Sequence, residues 1–261
     1  MEINNNKQIK KLLGIPDSIF IKFHSSTKIK KFTNNVKTSN SKTSENIQYK
    51  AYARFKEIKL PPPKLNKNIS LYSTLINRKS SRIFSSSKLS IKTISTLLYF
   101  SAGLKVNKFP IFFKRFYPSA GAKYPLEIYT ISLNTELPQG IYHYYLKSHR
   151  LEKLWLIKNK HEVINCFNQK WINDCALLIL ITAIFKRTII KYGDRGYRYI
   201  LIEAGHLAQN IYLLSSALEL SCCAIGGFLD DKLNQLIDID GLNESLIYVL
   251  AVGKLTDSAT F

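Results

Sequence analysis

The chain has 261 residues, 46% of them apolar, enough for one sizeable core and a second small element. Its net charge of +20 raises nucleic acid as a partner. However, residues 1–70 hold 15 Lys and Arg against 4 Asp and Glu, more than half of the excess in about a quarter of the chain, with no zinc-finger, RNP or basic-zipper pattern beside it. Lys, Asn and Ile are abundant throughout, as an AT-rich coding sequence produces, and that origin outweighs nucleic-acid binding.

The first twenty residues show no long apolar segment and no cleavage site, so a cytoplasmic location is the default expectation. Residues 1–60 are rich in Lys, Asn, Ser and Thr, and Asn34 to Asn46 reads as a flexible loop. Pro61-Pro62-Pro63 reads as an extended spacer. The expected division is a basic, partly flexible extension over 1–70 and a main domain over 71–261. Leu71 to Asn77 reads as a short helix. Ser87 is the expected N-cap of the next, which carries Leu89, Ile94, Leu97, Leu98 and Phe100 and stops at Gly103.

The alternating run Leu126 to Ile131 reads as a strand, and a Pro138-Gln139-Gly140 turn leads to a second over Ile141 to Tyr145. Trp155 lies in or near a third, and a helix is expected around Glu162 to Phe167. Residues 176–185 form the longest apolar run, too short for a bilayer and suited to a buried strand. The longest helix is expected from about Arg195 to Leu220, since Ile200, Ala204, Leu207, Ala208, Ile211, Leu214 and Leu218 recur at helical spacing. Gly226-Gly227 breaks the chain before a short helix over Leu233 to Ile237 and a last strand over Leu246 to Val252. Helices and strands interspersed in this way define an α+β class with a mixed or antiparallel sheet.

The four cysteines, Cys166, Cys175, Cys222 and Cys223, form no CxxC pair, and histidine is scarce. Neither a metal site nor a disulfide framework is expected, and buried thiols are. Five short words remain. Arg78-Lys79-Ser80-Ser81-Arg82 offers three cations and two hydroxyls within five residues, which suits a phosphate, although a solvated basic face has the same composition. Pro118-Ser119-Ala120-Gly121 reads as a turn whose small residues let a planar ligand lie against the backbone. Gly226-Gly227 permits positive φ and close approach, and Lys254 follows the last strand. Lys191-Tyr192 precedes the long helix, on which Glu203, His206 and Asn210 share roughly one face.

In this order the five words resemble the nitroreductase superfamily, and within it the SagB-type azoline dehydrogenases, over roughly residues 71–255. R-K-S-S-R-I-F is similar to the family's R-R-S-x-R-x-F signature, with Lys79 keeping the charge but not the guanidinium fork. The resemblance implies a nitroreductase-like FMN-binding sandwich, with a mostly antiparallel central sheet flanked by helices and an intertwined homodimer. It places Arg78, Lys79, Ser80 and Arg82 on FMN, and Pro118, Ser119, Ala120 and Gly121 on its ring, often from the partner subunit. Gly226 and Gly227 would face the reactive side of the flavin, and Lys254 would contact the phosphate. Glu203, His206 and Asn210 would line the pocket or the dimer seam.

Lys191 and Tyr192 match the Lys-Tyr segment of the azoline dehydrogenases. Aromatising an azoline removes a proton and a hydride, and the proton needs a base. One of the two side chains would be that base and the other its electrostatic partner. The expected function is therefore FMN-dependent oxidation of azolines to azoles in a ribosomally made precursor peptide. The peptide and the cyclodehydratase that forms the azoline are the expected partners, with no membrane. A looser likeness of residues 23–28 and 61–63 to the SagB-type N-terminal extension associates that region with the peptide. A general NAD(P)H-fed FMN oxidoreductase, which has no need of Lys191-Tyr192, is the alternative. A basic nucleic-acid or peptide-binding module with a degenerate flavin fold is the alternative from another class.

Overall fold

The computed structural model describes residues 19–29, 49–105 and 114–256. The loop expected at residues 34–46 lies outside them. The described residues form a seven-stranded sheet in the order β1-β4-β3-β2-β5-β7-β6. Its strands are β1 Lys56–Lys59, β2 Leu126–Ser132, β3 Gly140–Tyr145, β4 Arg150–Leu156, β5 Leu177–Ile184, β6 Leu220–Ile225 and β7 Glu244–Lys254. Every paired neighbour is antiparallel. The helices are α1 Ile19–Ser26, α2 Leu71–Asn77, α3 Ile91–Ala102, α4 Lys160–Ile164, α5 Lys186–Tyr192, α6 Arg195–Ala217 and α7 Asp230–Leu236.

Both faces of the sheet are covered, which is why β5 (LLILITAI) is apolar at almost every position. On one face Ile94, Leu97 and Leu98 of α3 and Ile200, Leu207 and Ile211 of α6 pack on Ile128, Ile179 and Leu250. On the other, Val163, Ile172, Leu233 and Ile237 pack on Ile131, Leu180 and Val249. This second face also buries charge. His143 on β3 lies between Glu152 at 2.9 Å and Glu127 at 3.3 Å. Arg187 reaches Glu127 at 2.5 Å and Arg150 reaches Glu152 at 3.2 Å.

The boundaries depart from the sequence reading where short-range chemistry competes. Ser90, not Ser87, caps α3, accepting from Thr93 N at 3.1 Å. Leu89 is pinned outside the helix, exchanging backbone hydrogen bonds with Asn134 and Glu136. α6 stops at Ala217, because Glu219 takes a left-handed turn (φ 54°) and Leu220 enters β6. Residues 186–192 are helical, and β1 adds an edge strand to β4. All four cysteines are free and buried, and burial pushes the Cys175 and Cys222 thiols up to about 12.

Residues 78–85 run along the far edge of the sheet. Ser81 N donates to Cys222 O and Ser85 N to Lys254 O, each at 2.9 Å. Phe84 tucks in so tightly that a Cβ at Gly253 would lie 2.8 Å from its Cδ1 and 3.4 Å from Ala176 N. Gly253→Ala is therefore expected to destabilise the fold by about 1–3 kcal/mol, the range for overpacking. A thermal melt indistinguishable from wild type would show that Phe84 can swing clear.

Candidate functional site

The first cluster grows from that edge. Arg78 ends α2, where its N–H bonds Thr74 O, and its guanidinium lies over the Tyr212 ring at 5.5 Å. Ser80 Oγ is 3.0 Å from the Tyr212 hydroxyl, which accepts from Ala224 N at 2.7 Å. Tyr212 thus ties the Arg78–Ser80 segment to the end of β6. Arg82 is exposed beside the Cys223 thiol. Lys79 and Lys254 are exposed on the same edge. Gly226 and Gly227 follow β6 and are exposed. Neither has positive φ, contrary to the use expected of them. Their value is room: a Cβ at Gly226 would meet nothing within 4 Å, and one at Gly227 only Gln169 Nε2 at 4.0 Å. Cations, a hydroxyl and an open glycine corner suit a phosphorylated planar ligand.

The second cluster surrounds the turn at 118–124. Gly121 has φ +58°, and a Cβ there would lie 2.5 Å from the Tyr192 hydroxyl and 3.0 Å from Lys191 Nζ. Lys191 and Tyr192, 70 and 71 positions beyond Gly121 in sequence, thus meet at that glycine. Lys191 Nζ sits 5.2 Å from the Tyr192 ring centroid, and Tyr199 packs edge-on to Tyr192 at 5.0 Å. Ser119 Oγ donates to Glu203 Oε2 at 2.6 Å. Pro118 and Gly121 are exposed, and Ser119 and Ala120 half-buried.

The three polar residues of α6 separate. Glu203 is buried, and Asn210 Nδ2 lies 3.3 Å from both Ser101 O and Phe116 O. His206 is exposed, with Leu201 and Ile202 on the same open side. Between Glu203 and Tyr212 run nine residues of helix, roughly 13 Å, so one chain keeps the two clusters apart. Tyr212 and Gln169 were missed by the sequence reading. Each acts through a partner distant in the chain, and no local motif marks it.

N-terminal residues reach the first turn of α6, which follows Lys191-Tyr192 in the chain. Arg195 Nη1 donates to Thr27 O at 2.9 Å, and Arg198 Nη2 to His24 O at 2.6 Å. These two arginines hold the C-terminal end of α1, where cations are favoured.

The fold is an α+β sandwich with an antiparallel sheet between two layers, and the model of the Nitroreductase family matches residues 75–254. The chain belongs to the nitroreductase family. It is 33% identical over 200 residues to protein MJ1384 of Methanocaldococcus jannaschii, provisionally named a nitroreductase, covering 76% of this chain and 96% of that one. It is 29% identical over 209 residues to the microcin B17-processing protein McbC of Escherichia coli, covering 71% and 74%. Among solved structures, a provisionally named nitroreductase from Anabaena variabilis superposes with a TM-score of 0.71 at 29% identity, over 92% of this chain. The chain spans only 47% of that protein's length. A chain of the E. coli microcin synthetase McbBCD complex with truncated pro-MccB17 bound superposes with a TM-score of 0.60 at 25% identity, covering 92% of both.

Proposed function

We propose that this nitroreductase-family oxidoreductase is an FMN-dependent dehydrogenase that oxidises azoline rings to azoles in a ribosomally made peptide. The observation that carries the reading is the packing of Lys191 and Tyr192 against Gly121, the turn that the family resemblance sets against the flavin ring. Arg78, Ser80, Arg82 and Lys254 would hold the phosphate, and the open corner at Gly226-Gly227 would admit the ring. The reaction takes two hydrogens from the azoline: one leaves as hydride, for which bound FMN would be the acceptor, and the other as a proton, which this chain must take. Lys191 and Tyr192, packed against Gly121, would take that proton. Azoline, being non-aromatic, gains aromaticity, so the protein's task is orientation and base catalysis.

The separation of the two clusters supports a site completed by a second copy. α2 and α6 leave Leu71, Tyr72, Leu75, Ile76, Leu201 and Ile202 exposed, an apolar set suited to that contact. The likeness to McbC and to a chain of a peptide-bound synthetase supports a peptide substrate and a cyclodehydratase partner. The grip of Arg195 and Arg198 on α1 brings the N-terminal extension next to Lys191-Tyr192, consistent with a role in peptide contact.

A second reading, a general NAD(P)H-fed FMN oxidoreductase, is favoured by the likeness to MJ1384 over nearly its whole length. Purified protein should show a flavin absorption spectrum with about one FMN per chain, and should remove two hydrogens per ring from an azoline peptide by mass spectrometry. Dye reduction by NAD(P)H without peptide oxidation would move the assignment to the second reading. A colourless protein that takes up no added FMN would end both.

A further inference from the structure

The turn at 119–124 is strained. Ala122 (φ 51°) and Tyr124 (φ 46°) join Gly121 in the left-handed region, which costs a non-glycine residue roughly 1–2 kcal/mol. Such a conformation persists only where its surroundings impose it. Arg187 Nη1 donates to Tyr124 O and Arg115 N to the Tyr124 hydroxyl, each at 3.2 Å, and two further contacts converge on one hydroxyl. Ser119 Oγ accepts from Tyr124 N at 2.8 Å, which fixes the far end of the turn, and donates its own hydrogen to Glu203. Glu203 projects from α6 and is only 2% exposed. Its other oxygen, Oε1, has no hydrogen-bond partner among the described residues.

We propose that Glu203 is a positioning residue: its carboxylate orients the Ser119 hydroxyl, and through it holds the left-handed turn against which Lys191 and Tyr192 pack. The role of the turn at the flavin rests on the reading given above. The hold of Glu203 on the turn does not. Because a hydrogen bond to a charged group is about twice as strong as one to a neutral group, the hold is tightest when Glu203 is ionised. Burial pushes the Glu203 carboxyl up to about 7, against the pull of the Ser119 hydroxyl and of Arg115. The charged and titratable groups facing it are Arg115 and Tyr117 from the segment before the turn. Lys191 and Tyr192 of α5 face the turn itself. The hold therefore strengthens as pH rises through neutrality.

The test is amide hydrogen exchange of the full chain, read on peptides spanning residues 117–125 with no flavin or substrate present, from pH 6 to 8 and corrected for intrinsic exchange. Wild type should gain protection as pH rises, with a midpoint near 7. Glu203→Leu should exchange about tenfold faster there at pH 8, the equivalent of one charge-assisted hydrogen bond. Ser119→Ala should match it. Glu203→Gln, which still accepts from Ser119, should recover part of the protection but show no midpoint. Unchanged protection in Glu203→Leu, or the same midpoint in Glu203→Gln, would overturn the proposal. If Glu203→Leu does not fold, Ser119→Ala and Glu203→Gln still decide it. A protein that binds no FMN would overturn the functional reading and leave this result standing.

Discussion

Replacing Lys191 with Ala and Tyr192 with Phe together is expected to lower azoline oxidation by about 10²- to 10⁴-fold, the usual contribution of a positioned acid–base group. Dye reduction by NAD(P)H should stay within about threefold of wild type, because hydride transfer between a nicotinamide and a flavin needs no base. The contrast is sharp because the pair sits at one place only. Lys191 is exposed and Tyr192 half-buried, so neither carries the core. Both side chains lie against Gly121, and Tyr199 packs edge-on to the Tyr192 ring. The single variants apportion the roles: the base variant should flatten the pH–rate profile, and its electrostatic partner should shift it. Mass spectrometry of the peptide and a dye assay on the same preparation make the measurement. Equal loss of both activities would mean that the pair holds the turn or the flavin and has no part in proton removal.

What was legible in the sequence was what repeats locally. The 3.6-residue spacing of Ile200, Ala204, Leu207 and Ile211 gave the buried face of α6, and the run at 176–185 gave the central strand β5. The ordered words gave the family. What was hidden depends on tertiary contact. Lys56–Lys59 is a strand because β4 offers an edge, and its four residues carry no pattern of their own. Leu220–Ile225 lost its identity to the helix before it, since Leu218 and Leu220 extend the apolar spacing. The turn that separates them rests on a left-handed Glu219. Alternation in β2 puts Glu127 opposite Leu126 and Ile128, where a solvated face is the usual reading, yet it is 2% exposed. Glu203 and Ser119 were both named from the sequence, but the bond between them spans 84 positions and follows only from the fold.

Replacing His143 with Leu is expected to destabilise the fold by about 3 kcal/mol, the lower end of the range for removing one member of a buried ion pair. Both ring nitrogens lie within bonding distance of carboxylate oxygens, at 2.9 and 3.3 Å, and only imidazolium can donate from both. Burial opposes that charge, but Glu127 and Glu152 outweigh it and raise the His143 pKa. Removing the ring leaves two buried carboxylates answered by Arg187 and Arg150, the Tyr52 N–H on Glu152 and the nearby charge of Arg115, but without the cation that bridged them, which is why the cost is set by charge more than by lost packing. The pH dependence separates these causes. Burial would raise Glu127, yet His143 and Arg187 bring it down to about 2, so its contribution is present above pH 4.5 and lost as pH falls through about 2. The contribution of His143, with its pKa raised in the fold, is complete below pH 6.5 and lost as pH rises through the folded value. Burial raises Glu203 to about 7, so its ionisation between pH 4.5 and about 7 costs global stability even as the charged carboxylate grips Ser119 more tightly. Stability should therefore be greatest on the acid side of neutrality. Denaturant melts at pH 3, 5, 7 and 9 should show that maximum in wild type, and a shallower fall above pH 6.5 in His143→Leu. A variant within about 0.5 kcal/mol of wild type at pH 5 would mean that the carboxylates find protons or water at no cost, and that the sheet does not depend on its buried imidazolium.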